Sequence, residues 1–265
     1  MKEKIQKYLL EIENVEGVKI LYACESGSRA WGFPSADSDY DVRFIYLHPV
    51  RRYLSIEKIH DVIELPINEN LDVDGWDLRK TLQLFRKSNP TLFEWLGSPI
   101  IYLEKFSIAA QLRQLASIYH LPAVCAYHYL HMAQRNYRDY LKGEQVWIKK
   151  YFYALRPILA VNWIECNLGI VPTEFIALVN GLKLESNLKA EIYKLIDAKR
   201  ARAELDYGPR IHCISDFIER ELSRFEGITF NCDKAAAPIE KLDALFQAAL
   251  KEIWSGNKLG PPEIV

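Results

Sequence analysis

The stretch that decides the fold runs Gly27-Ser28-Arg29-Ala30-Trp31-Gly32-Phe33-Pro34-Ser35-Ala36-Asp37-Ser38-Asp39-Tyr40-Asp41. Before it, Val18-Lys19-Ile20-Leu21-Tyr22-Ala23-Cys24 reads as a largely buried strand, entered from the Glu16-Gly17 break and left at Glu25-Ser26. That strand delivers the chain to a Gly-Ser turn. Glycine permits positive φ and close backbone approach, so a phosphate can sit against exposed N–H groups with the Ser28 hydroxyl beside them. The chain then loops back, and a second strand is expected to open with Asp39 and Asp41, running through Tyr40–Leu47 to Pro49. On a strand, residues i and i+2 share a face. Two carboxylates so placed repel each other, and a divalent cation relieves the repulsion. Mg²⁺ takes a few carboxylate oxygens together with substrate phosphates, and phosphoryl transfer uses such ions to hold the attacking and leaving oxygens.

The Gly27-Ser28 pair, Ala30, Gly32 and Ser38-Asp39-Tyr40-Asp41-Val42, with Asp39 eleven positions after Ser28, resemble the signature of the DNA polymerase β-like nucleotidyltransferase superfamily. Within it the chain is similar to bacterial nucleotidyltransferases some of whose members are associated with RNA repair. Gly75-Trp76-Asp77-Leu78-Arg79-Lys80, Ser88-Asn89-Pro90 and Glu94-Trp95-Leu96 add to that likeness. The resemblance implies that Asp39 and Asp41 bind metal, Mg²⁺ or alternatively Mn²⁺, and that Gly27 and Ser28 hold the phosphates of an NTP. It also implies a third carboxylate on a neighbouring strand that completes the metal site as a further ligand and helps activate the acceptor hydroxyl. Asp72 is favoured for that place; Asp74 shares its face, and Asp77 competes as a helix N-cap. Asp61 and Glu64 are weaker candidates, and Asp37 reads as a turn residue.

Outward from the signature, Lys2–Glu13 has helical spacing of Ile5, Leu9 and Ile12. Asp61–Leu65 and Leu71–Asp74 read as further strands, and Leu78–Phe85 as a helix. From about Ser107 the pattern turns helical: 109–119, 123–141, 145–167, 173–180, 184–203, 214–226 and 238–254. The expected fold is therefore α/β (α+β): a nucleotidyltransferase domain with a short mixed sheet over residues 1–105, followed by an all-helical domain over 106–265.

Other signals divide between functional and structural readings. Arg29 reads equally as a triphosphate ligand and as a loop charge. Arg43 alternates onto the face of the aspartates, where a salt bridge to a carboxylate is expected. Trp147, Lys149, Lys150, Tyr151 and Arg156 are placed on one long helix, making Lys149 and Lys150 candidates for gripping the nucleotide against a competing reading as a solvated face. Lys199-Arg200-Ala201-Arg202, with Tyr207 to Arg210, is the one local basic cluster and a candidate RNA track. Trp76 reads as core, Lys80 as an exposed helical lysine, and His128 and His131 as structural.

Composition bounds the rest. The chain has 265 residues, 49% hydrophobic and 26% charged, with a formal net charge of −1. No global basic field attracts nucleic acid, so an RNA partner needs a local patch. Cys24, Cys125, Cys166, Cys213 and Cys232 are too scattered for a disulfide framework or zinc knuckle and read as buried free thiols of a cytoplasmic protein. No run approaches the roughly 18 apolar residues that span a bilayer. Three functions remain open: nucleotidyl transfer to RNA ends, transfer to a protein or small molecule (as in antitoxin-type adenylylation), and a non-catalytic nucleotide-binding module. Which NTP is used and the oligomeric state are not fixed by the sequence.

Overall fold

A computed structural model describes residues 1–57, 60–68, 70–201, 206–230 and 238–255. The first half runs α1 (Lys2–Glu16), β1 (Lys19–Glu25), α2 (Gly27–Trp31), β2 (Tyr40–Leu47), α3 (Val50–Tyr53), β3 (Val62–Glu64), β4 (Leu71–Asp77), α4 (Leu78–Arg86), α5 (Pro90–Leu96) and β5 (Ile101–Glu104). The second continues with α6 (Ile108–Tyr119), α7 (Pro122–Tyr140), β6 (Gln145–Trp147), α8 (Lys150–Glu165), α9 (Phe175–Gly181), α10 (Ser186–Ala201), β7 (Tyr207–Pro209), α11 (His212–Phe225) and α12 (Ile239–Trp254).

The first half builds a five-stranded sheet in the order β3-β4-β2-β1-β5. β2 and β4 pair in parallel, and the other neighbours are antiparallel. β5 escapes the sequence reading, which places no strand between 101 and 104. The register skips Leu21: Ile20 faces Tyr46 while Tyr22 faces Ile45. Such a bulge breaks strict alternation. Leu21 and Tyr22 accordingly both pack with Cys24, Ile45 and Leu47 against the helices of the second half. Ile20, Ala23, Val42, Phe44 and Tyr46 form the other face, under Ile5, Leu9 and Ile12 of α1. Asp41 and Arg43 alternate with Val42 and Phe44, so they belong to the face that meets the second half.

That second half centres on α8, which is apolar nearly all round and buried from Tyr151 to Ile164 on most positions, as expected of a helix enclosed by others. Its one buried cation, Arg156, pairs with Glu94 of α5 at 2.6 Å. Among the described residues of the second half the regular structure is helical apart from the antiparallel β6–β7 ribbon, which replaces the helical start expected at residue 145. Among the described residues no helix is long and apolar enough to cross a membrane.

Candidate active site

β1 is followed by Ser26, whose N–H donates to the Asp41 carbonyl at 2.8 Å and so ties the Gly-Ser turn to β2. Gly27 has φ +56°, and a Cβ there would lie 1.9 Å from Asp41 Oδ2. Glycine therefore serves both the left-handed backbone and the space the Asp41 carboxylate occupies. The turn and the aspartates open onto a pocket of about 340 Å³, lined from the first half by Ser28, Asp39 and Asp41, with Asp37 and Ser38 between. Lys149, Tyr153 and Lys199 of the second half also line it. Asp39 stands just before β2 rather than on it, and is exposed. Asp37 sits in the Ser35–Ser38 turn, as expected, closed by Ser38 N–H donating to the Ser35 carbonyl at 3.2 Å.

Asp72 lies beside Asp41 in the parallel register of β2 and β4, and Asp74 lies beside Arg43. Arg43 donates to Asp72 Oδ2 at 2.7 Å and stands 3.6 Å from Asp41 and 3.7 Å from Asp74. Burial pushes the Asp41 carboxyl above its usual range; Arg43 opposes this, while Asp72 and Asp39 add to it. The pocket lining includes Asp39 and Asp41 but not Asp72, and among the described residues no three carboxylate, His or Cys side chains are gathered into a ready-made metal cage. Asp77 is buried instead: it accepts the Arg79 N–H at 2.7 Å as the N-cap of α4, and the Tyr53 hydroxyl bonds its other oxygen. Asp61 pairs with Lys80 at 3.1 Å.

Two residues that the sequence did not single out for the site support it. Glu25 is 0% exposed. Its Oε1 accepts the Asp41 N–H at 2.7 Å, and Tyr102 of β5 donates to its Oε2. Burial, the leading cause, moves its carboxyl up to about 7. Lys199, read above as part of an RNA track, is 4% exposed and donates to Ser35 Oγ at 3.0 Å. Arg200 donates to the Gly32 carbonyl at 2.7 Å. The end of α10 thus pins the loop between Gly-Ser and the aspartates, a contact spanning 164 residues that no local pattern announces. Arg202 lies outside the described residues.

Arg29 braces the same loop. Its guanidinium donates to the Ser38 and Asp39 carbonyls at 2.7 and 3.1 Å and lies 3.7 Å from the centre of the Tyr40 ring. The structure separates the two lysines expected to act together. Lys149 lines the pocket, whereas Lys150 stands over Tyr140, Trp147 and Tyr153 at 4.5, 5.2 and 4.8 Å, boxed by aromatic rings. Trp76 is half-buried and stacks on Trp95 at 3.9 Å. Burial lowers the His128 pKa, and neither it nor His131 joins a ligand cluster among the described residues. Of the thiols, Cys24 and Cys125 are buried but Cys166 is exposed, because it caps the end of α8; Cys232 lies outside the described residues.

A short mixed sheet with a Gly-Ser turn after one inner strand, β1, and acidic residues at the head of the central strand, β2, is the fold of a polymerase β-like nucleotidyltransferase. More narrowly, the chain belongs to the RNA repair pathway DNA polymerase beta family, whose profile matches residues 1–248. A relative from Bacillus subtilis (strain 168), named Uncharacterized protein YcgL, is 56% identical over 256 residues, 96% of this chain and 98% of that one. A solved nucleotidyltransferase-like protein from Exiguobacterium sibiricum 255-15 aligns over 97% of this chain and 96% of its own, at 10% identity and a TM-score of 0.33.

Proposed function

We propose that this protein transfers a nucleoside monophosphate from an NTP to an acceptor hydroxyl at the end of an RNA, releasing pyrophosphate. The observation that carries the reading is the meeting of Ser28, Asp39 and Asp41 with Lys149 and Lys199 in one pocket. Carboxylates and ammonium groups facing each other across a small polar cavity suit a magnesium–triphosphate, which carries both signs of charge. The RNA acceptor rests on the family's description as part of an RNA repair pathway. In this reading the first half, to about residue 105, carries the chemistry, the helical half grips the nucleotide, and the protein works in the cytoplasm.

The donor set fits a hard divalent cation, because Asp39 and Asp41 offer only oxygen and the crowding at Asp41 is of the kind a cation relieves. Asp39 and Asp41 would hold Mg²⁺ or Mn²⁺. When bound, such an ion supplies Lewis-acid polarisation of a phosphoryl oxygen and neutralises charge on the leaving pyrophosphate. The chain's own groups do the rest. Ser28 and Lys149 bind phosphate oxygens, and Lys199 holds the loop through Ser35. Asp72, oriented by Arg43, takes the proton of the acceptor hydroxyl as that oxygen bonds to the α-phosphorus and pyrophosphate leaves.

Incubation of the purified protein with labelled ATP, CTP, GTP and UTP, together with tRNA or cell extract, tests the reading. Label on RNA, dependent on divalent cation, is the expected result. Label on protein would move the acceptor, and binding of nucleotide without transfer would leave only a binding module.

A further inference from the structure

The β6–β7 ribbon carries an unusual surface. Tyr207 is 68% exposed, although its ring is large and apolar. It stacks nearly parallel on Trp147, with centroids 5.9 Å apart and planes at 17°. The antiparallel pairing of Trp147 with Tyr207 fixes both rings on a rigid backbone, so little ordering cost remains for a flat partner laid on the open face.

This stack is joined to the candidate active site by short steps. Trp147 meets the Lys150 ammonium at 5.2 Å, and that ammonium meets the Tyr153 ring at 4.8 Å. Tyr153 then lines the pocket with Asp39, Asp41 and Lys149. The path is also basic, in a chain whose net charge is −1. Burial foremost, then the charges of Lys149 and Arg135, hold the Lys150 ammonium below its ordinary pKa, which places three cations near one another. Of these, Arg135 has Asp139 at 3.8 Å. Rigid aromatic faces interleaved with cations are the means by which proteins hold unpaired nucleic acid, each base stacking on a ring while the backbone follows the positive charge.

Resting on the RNA-end reading above, we propose that Tyr207, backed by Trp147, is the platform on which an unpaired base of the acceptor strand stacks while the strand's end enters the Asp39/Asp41 pocket. The partner is single-stranded RNA. Inside a duplex each base is covered on both faces by its neighbours, whereas an unpaired base can lay a free face on the ring.

The test compares the full-length protein with Tyr207→Ala and Tyr207→Phe, at one fixed salt concentration because phosphate contacts are salt-dependent. Binding of a short fluorescein-labelled single-stranded RNA is read by anisotropy, and binding of a fluorescent ATP analogue is read in parallel. Tyr207→Ala should weaken RNA binding about tenfold, Tyr207→Phe should stay near wild type, and nucleotide affinity should not move. RNA binding that is unchanged in Tyr207→Ala overturns the proposal, as does a loss confined to the ATP analogue. If Tyr207-dependent RNA binding is found but no NTP is ever turned over, the platform stands and the transfer reading fails. If transfer proceeds to RNA at wild-type affinity in Tyr207→Ala, the reverse holds.

Discussion

Arg156 and Arg43 are both drawn out of water, and the surroundings of the two differ in one respect that decides their roles. Arg156 is 2% exposed and pairs with one carboxylate, Glu94, at 2.6 Å. It also donates to the Pro172 and Thr173 carbonyls at 3.2 and 3.3 Å and lies 5.1 Å from the centre of the Trp31 ring, and Tyr129 donates to Glu94 at 2.9 Å. Charge there balances one to one. Arg43 instead faces Asp72 at 2.7 Å, Asp41 at 3.6 Å and Asp74 at 3.7 Å, with Asp39 two residues from Asp41. One guanidinium cannot neutralise that set. A balanced pair locks α5 to α8; around Arg43 three carboxylates share a single guanidinium.

The largest expected effect separates the two regions outright. Asp41→Asn should lower NTP transfer by at least about a thousandfold, since a metal's charge stabilisation is worth several kcal/mol and each 1.4 kcal/mol is about a factor of ten. Its melting temperature should hold or rise, because one of the crowded carboxylates is removed. Asp72→Asn should cost about a hundredfold in rate, the lower range for loss of a general base. Turnover assays beside thermal denaturation check both; an Asp41→Asn protein that melts far below wild type while still turning over NTP would reverse the assignment.

Next in size is the interior pair. Glu94→Ala leaves Arg156 charged and buried, at a cost of about 3–5 kcal/mol, or a melting temperature lower by about 10 °C at roughly 2–4 °C per kcal/mol. Replacing both members with apolar residues of similar volume, Glu94→Leu with Arg156→Met, should recover much of that loss. If the double variant is no more stable than the single one, the hydrogen bonds to Pro172 and Thr173, and not the charge pair, hold α8 in place.

The same contrast explains what could be read in the sequence. Gly27-Ser28 and Asp39/Asp41 stand out in the sequence as particular residue types at a short, fixed spacing, and the fold sets Ser28, Asp39 and Asp41 in one pocket. β1, β2, β3 and β4 are legible as apolar or alternating runs, so most of the sheet is too. The Glu94-Trp95-Leu96 likeness lies in the sequence, yet its physical content needs a partner 62 residues away, Arg156. Glu25 looked like punctuation at a strand end, because its burial depends on Tyr102, 77 residues on. β5 has only four residues and follows Pro99, and β6 merges by composition into α8 until Tyr207–Pro209 is brought beside it. Contacts closed by the fold leave no local period.

A smaller effect sharpens the boundary of the acidic cluster. Asp77 is an acidic residue on the same strand as Asp72, but its oxygens are spent on the Arg79 N–H and the Tyr53 hydroxyl. Asp77→Ala should therefore cost about 1–2 kcal/mol in stability as a lost N-cap and leave the transfer rate unchanged. A rate loss as deep as that of Asp72→Asn would bring Asp77 into the chemistry.

The smallest effect is expected at Asp74. It shares a face with Asp72, yet it sits 3.7 Å from Arg43 where Asp72 bonds at 2.7 Å, and its side chain is a third exposed at 32%. It is also opposite Glu64 across β3 and β4, so it adds negative charge to a strand that already has an excess. Removing it takes away a weak, screened attraction and a weak repulsion together. Asp74→Asn should change stability by less than about 0.5 kcal/mol, in the range of exposed ion pairs, and should leave transfer near wild type, because Arg43 keeps its bond to Asp72. Denaturant midpoints and turnover for Asp72→Asn and Asp74→Asn, measured side by side, decide which of the two Arg43 orients for chemistry: equal loss in both would mean that the guanidinium holds the strand and not a single reacting carboxylate.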